Sequence, residues 1–183
     1  MGLSLFCKRD RVASRRPREG AAAVEFAMVA APFFFMIFAV LELGVVFLVD
    51  STLENAVMEA SRIVRTGRAE TENITDVQFK TALCAEMSVF QGDCAARANV
   101  DVRVMPAFSD GLPDSPIEDG ELKTSVLKYD RGQPGDLMLV RVWYTQPLVT
   151  PFMQQAMSRL DSGDAVISVV TAFRNEPYRG ATP

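Results

Sequence analysis

AAAVEFAMVAAPFFFMIFAVLELGVVFLV, Ala21 to Val49, is a run of 29 residues without Lys or Arg and with two charges, Glu25 and Glu42. A hydrocarbon layer about 30 Å thick takes roughly 20 apolar residues as helix, so the run is long enough to cross a membrane and project beyond it. Directly before it stands KRDRVASRRPREG, with Lys8, Arg9, Arg11, Arg15, Arg16 and Arg18 set against Asp10 and Glu19. Basic residues beside a first span hold that side in the cytoplasm. The order predicts a single pass, with Met1 inside and everything after Asp50 outside.

Charge is split by position. The chain has 19 basic and 23 acidic residues, and the first 20 residues take 6 and 2 of them, leaving 13 and 21 for the rest. A basic head on an acidic body argues against nucleic acid as a partner of the body. Topology alone accounts for the basic head. Histidine is absent, which removes the commonest general base and metal ligand. Of the three cysteines, Cys7 lies in the head, and Cys84 and Cys94 fall outside the membrane, where disulfides persist. A Cys84–Cys94 disulfide is expected. Two cysteines ten apart, with no third ligand, make a poor zinc site.

The head is not an ordinary secretory signal, whose apolar core is 7–15 residues with a small-residue cut site after it. Here the small residues Gly20-Ala21-Ala22-Ala23 come before the bulky Phe33-Phe34-Phe35-Met36-Ile37-Phe38. A cut at this place keeps the anchor. Glu25 sharpens the point. A carboxylate within a span costs about 2.5–3.5 kcal/mol on insertion scales and usually marks function. After a cut between Gly20 and Ala21 it becomes the fifth residue, one helical turn from the new ammonium. A helix start also favours a carboxylate through its unpaired N–H groups and dipole.

Gly20-Ala-Ala-Ala-Val-Glu25-Phe26 after an Arg-rich leader resembles the prepilin processing site of type IV pilin-like proteins. More narrowly, GAAAVEFAMVAAPFFFMIFAVLELG resembles TadE-like minor pseudopilins of the tight-adherence (Tad, Flp) pilus system. Thr52 to Arg62 is similar to that family's amphipathic extension; Leu83-Cys84, Cys94 and Arg174-Asn175-Glu176-Pro177 are shorter likenesses. The resemblance implies removal of residues 1–20 by a prepilin peptidase. It places the protein in the inner membrane with its C-terminal domain in the periplasm, or incorporated into the pilus. Its implied partners are other pilins or pseudopilins and the assembly platform, and its implied role is assembly rather than bulk fibre.

Beyond the span, Leu53, Ala56, Val57, Ala60, Ile63 and Val64 recur at spacings of three and four, which predicts a continuing amphipathic helix. Gly67 is its stop. As one helix, residues 21–66 would run about 69 Å at 1.5 Å per residue. Pro32 lies inside and either kinks the helix or is simply tolerated. Glu42 either pins a helix–helix contact beside Gly44 or reaches the outer interface, and the second is favoured. Arg68 to Ile74 reads as a polar connector. Thr75-Asp76-Val77-Gln78 fits a capping box opening a short helix over residues 77–90. Gln91-Gly92-Asp93 reads as a turn returning Cys94 toward Cys84.

Asn99 to Phe108 alternates Val100, Val102 and Val104 against Asp101 and Arg103, a half-buried strand. Pro106 to Gly135 reads as a long loop, with a brief strand or turn within 122–129. Asp136 to Tyr144 and Ala165 to Phe173 are strands, with a short helix from Pro151 to Arg159 between them. At most one of Trp143 and Tyr144 is expected to face the core. The expectation is an α+β, pilin-like fold: leader 1–20, a transmembrane and amphipathic helix 21–67, and a domain 68–183 with a small antiparallel sheet.

No phosphate-binding loop, zinc-protease helix or nucleophile elbow occurs. Asp110, Asp114, Glu118, Asp119 and Glu121 lack the order of a calcium loop and read as a solvated acidic loop. No cofactor, metal or catalytic residue is expected. The sequence points to a trimmed minor pseudopilin that packs through its hydrophobic helix. The competing reading is an untrimmed single-pass scaffold of another envelope complex, and a tethered enzyme has no constellation to rest on.

Overall fold

In a computed structural model, residues 17–109 and 111–178 are described, with side chains from Gly20 onward. Cys7, the basic residues Lys8 to Arg16, and Asp110 lie outside them. One helix, α1 (Pro17–Arg65), carries the whole apolar run and continues through Pro32. It ends where Gly67 takes up the left-handed conformation, φ 78°, which costs little only without a Cβ. Arg62 and Arg65 occupy the last turn, where cations complement the helix dipole.

The chain divides into two compact units at Phe38/Ala39. In the first, Val24, Phe26, Met28, Val29, Phe33 and Met36 are each more than half exposed. A helix apolar on every side is one that solvates itself in lipid or among other helices.

In the second unit α1 becomes one-sided. Val46, Val49, Leu53, Ala56, Val57, Ala60 and Val64 are buried at spacings of three and four, the period of one helix face. Glu54, Glu59, Arg62 and Arg65 stay exposed on the other. The connector after Gly67 is not wholly irregular, for Arg68–Thr71 makes one turn, α2, tied by an Arg68–Glu72 ion pair of 2.9 Å. Thr75 opens α3 (Asp76–Ala85) with a full capping box to Gln78. Residues 91–97 form a helix, α4 (Gln91–Arg97), where the sequence suggested a turn. Gly92 has open space around it, so its freedom is not used. A disulfide joins Cys84 on α3 to Cys94 on α4 across a Cα–Cα distance of 5.5 Å, and both residues are buried.

The sheet comprises β1 (Ala98–Met105), β4 (Leu137–Gln146) and β5 (Ala165–Arg174), in the order β1-β4-β5 and antiparallel throughout. A minimal hairpin, β2 (Ile117–Glu118) and β3 (Glu121–Leu122), and the short helix α5 (Pro151–Met157) interrupt the long connections. Register sets Val102 beside Val140, Val142 beside Val169 and Tyr144 beside Ile167. In a strand these share one face, and with the α1 stripe they form a single core. The fold is α+β.

The opposite face corrects the sequence reading at two residues: Asp101 is fully buried and Arg103 is partly so. Tyr144 alone of its pair joins the core, as expected, while Trp143 is buried on this other face. Two-residue alternation predicts an exposed side only if nothing covers it. Here the chain near Pro113 does: Arg141 Nη1 donates to the carbonyls of Pro113 and Asp114 at 2.6 and 3.3 Å. Beneath it Arg141 pairs with Asp101 (Nη2 to Oδ2, 2.9 Å) and lies 4.9 Å over the Trp143 ring. Arg103 adds a contact of 2.8 Å to the same carboxylate and reaches the Val126 carbonyl. Asp101 Oδ1 also accepts the Lys128 N–H at 2.8 Å. This carboxylate thus holds the long loop at Lys128 directly and at Pro113–Asp114 through Arg141.

The last described residues return to the end of α1. Glu176 N–H donates to the Arg65 carbonyl, and the two side chains pair at 3.4 Å. Asn175 is buried and donates to the Gln133 carbonyl. The Tyr178 ring covers Gly67 so closely that a Cβ there would lie 2.2 Å from it.

Candidate functional site

Gly20, Ala21 and Glu25 all lie on α1 and are exposed. Nothing stands within 4 Å of where a Gly20 Cβ would be. Its backbone is helical, where glycine costs about 1 kcal/mol relative to alanine. No turn, close approach or left-handed angle asks for glycine here. The residue is a burden on the helix that the fold does not explain. Among the described residues Glu25 forms no ion pair, so its carboxylate is available at the head of an apolar helix. The new ammonium of a chain starting at Ala21 would be about one turn from it.

Glu42 is held differently. Its carboxylate accepts the N–H of Val149 and, at 3.0 Å, that of Thr150. Thr150 is the residue before α5, with Pro151 in the first helical position, where a missing N–H is no loss. Glu42 therefore fastens the loop between β4 and α5 to α1. The sequence offered an interfacial carboxylate or a helix–helix pin; the bond that forms is to loop backbone. A contact across more than a hundred residues leaves no local signal to read.

A cleft of about 650 Å³ is lined by residues including Asp76, Lys80, Cys84, Asn99, Thr124 and Tyr129. Burial pushes the Lys80 ammonium below its ordinary pKa and the Tyr129 phenol up to about 12. The Tyr129 hydroxyl is buried without a partner. Among the described residues no three of His, Cys, Asp and Glu gather as a metal site. Asp114, Glu118, Asp119 and Glu121 are exposed, and Glu118 pairs with Lys123.

These features define an α+β protein whose one long N-terminal helix, among the described residues, is long and apolar enough for a single membrane pass. Residues 20–62 match the family model described as TadE-like protein, so this N-terminal stretch is similar to a family of structural pilus components of the Tad system. The match runs from Gly20 almost to the end of α1 and leaves the sheet outside it. No curated protein and no solved structure gives a match.

Proposed function

We propose that the protein is a minor pseudopilin of a Tad pilus. A prepilin peptidase cuts it after Gly20, and it then joins other pilins or pseudopilins at the assembly platform through residues 21–41. The carrying observation is Gly20 in open helical space, five residues ahead of a Glu25 that forms no ion pair among the described residues, at the first residue of the TadE-like match. Glu25 docks against a neighbouring subunit's N-terminal ammonium or its own, since a carboxylate in lipid is stabilised by a nearby cation. The N-terminus is cytoplasmic, and residues 68–183 form the periplasmic domain.

The test is the mature N-terminus together with piliation. Wild type should begin at Ala21. Gly20→Leu should insert in the membrane but keep Met1, because the span is unchanged. Glu25→Ala should insert and be trimmed yet fail to restore pili in a deletion strain. An intact Met1 in wild type with active peptidase overturns trimming and favours an untrimmed periplasmic scaffold. Normal pili from Glu25→Ala at normal protein level removes the assembly role of Glu25.

A further inference from the structure

Backbone hydrogen bonds fix which way each residue of the sheet points. Val102 N–H donates to the Lys128 carbonyl at 2.8 Å, and Asp130 N–H donates to the Val102 carbonyl at 2.9 Å. In an antiparallel ladder the N–H and C=O of one residue point to the same side, and the side alternates along the strand. Even-numbered residues of β1 therefore face away from β4. Carried across the register, even-numbered residues of β4 bond to odd-numbered residues of β5. The Asn175 N–H, 2.8 Å from the Asp136 carbonyl, continues that parity. The N–H and C=O groups of Val166, Ser168, Val170 and Ala172 thus point out of the sheet, and among the described residues nothing pairs with them.

The other edge is guarded where the chain at Lys128 to Asp130 lies against Val102. Edge strands are usually blunted by charge, proline or a bulge. Ala165 to Phe173 has no charged residue, no Pro and no Gly, and its pairing with β4 runs without a bulge. Val169 and Phe173 pack against the core yet stay only partly buried, so the core is open along the same margin. A row of alternating donors and acceptors is matched by another extended backbone. Charge narrows the fit. The uncharged run ends at Arg174, which is exposed and has no ion pair among the described residues, while nearby Glu176 is already held by Arg65 at 3.4 Å. A second copy in antiparallel pairing does not fit. Its two-fold axis would stand perpendicular to the sheet. Because α1 lies along the sheet face, the copy's α1 would run the opposite way, out of the bilayer.

We propose that β5 is a docking edge for an extended segment of a different chain. The segment adds antiparallel beside β5, is uncharged along its length and carries an acidic residue opposite Arg174. Setting aside a second copy rests on the reading that α1 crosses the bilayer; the open edge does not.

The probe is a blocked peptide of alternating threonine and valine with a glutamate at its N-terminal end, added to the full chain in detergent micelles. Amide hydrogen exchange is read residue by residue by NMR. Without peptide, the amides of Ser168, Val170 and Ala172 should exchange about a hundredfold faster than those of Ile167, Val169 and Thr171, which the β4 ladder holds. Peptide should slow the first set about tenfold and leave the second unchanged. Lysine in place of the peptide's glutamate should weaken binding roughly twofold to fivefold. N-methylation of the peptide residues that meet β5 should abolish it. Slow exchange of the first set in the chain alone, at every dilution, means the edge is already covered and overturns the proposal. Protection that grows with chain concentration hands the edge to a second copy and overturns it too. No slowing by the peptide, or equal slowing by its N-methylated form, overturns strand addition. Equal binding of the glutamate and lysine peptides overturns the acidic requirement at Arg174.

Discussion

Asp101 takes N–H groups from Arg103, Arg141 and Lys128 while wholly buried. Removing one partner of such a group leaves the others desolvated and unpaired, which typically costs about 3–5 kcal/mol. Asp101→Ala should lose roughly that much stability, and Asp101→Asn less, since it keeps an acceptor for the Lys128 N–H. Urea titration of the detergent-solubilised chain, followed by Trp143 emission, reports it well. Trp143 is the single tryptophan and lies under Arg141. Tyr129 offers the opposite case. Its phenol titrates near 12 when folded and near 10 otherwise, so it stabilises the fold below pH 10 and that contribution fades as pH rises through 12. Tyr144 and Tyr178 shift upward too. Tyr129→Phe should hold or raise stability at neutral pH, since its hydroxyl has no partner, and should flatten the alkaline loss above pH 10. An unchanged alkaline slope assigns that loss to the other two tyrosines.

Among the elements, α1 carries the clearest division of labour. Leu53 is fully buried and Met58 is half exposed on the same helix. Leu53→Ala should cost about 2–5 kcal/mol as transfer and cavity terms combine. Met58→Ala should stay within about 0.5 kcal/mol. Equal urea midpoints for the two variants would mean that the stripe does not pack on the sheet. This stripe, the capping box at Thr75 and strands β4 and β5 were readable in the sequence because each is a local pattern. The helix over residues 91–97 was not, because Gly92 beside Asp93 imitates a turn. The burial of Asp101 and Trp143 was not either. What covers them is the chain near Pro113, which has no periodicity, and the covering depends on a contact from Arg141 some 28 residues away. At the candidate site, Gly20 and Glu25 stood out by type and spacing. The Glu42 bond could not, since its partners are backbone groups that every residue has.

At the scale of the molecule, cysteine state separates precursor from product. The chain has three cysteines, and two of them are bonded to each other. Thiol labelling of denatured, unreduced protein should place one label on the untrimmed chain at Cys7 and none on a chain that starts at Ala21. Two or more labels on the trimmed chain would show the Cys84–Cys94 bond open in cells, together with the loss of roughly 2–3 kcal/mol that closing so short a loop contributes in the chain-entropy model.

Most tethered domains can be shed, because a protease finds a linker between anchor and fold. Here α1 runs unbroken from Pro17 to Arg65, and residues 46–64 of it supply one wall of the core. A cut anywhere along that wall strips the sheet of its cover and bares Val140, Val142 and Tyr144. Proteolysis between residues 46 and 64 should therefore unfold the head rather than release it intact.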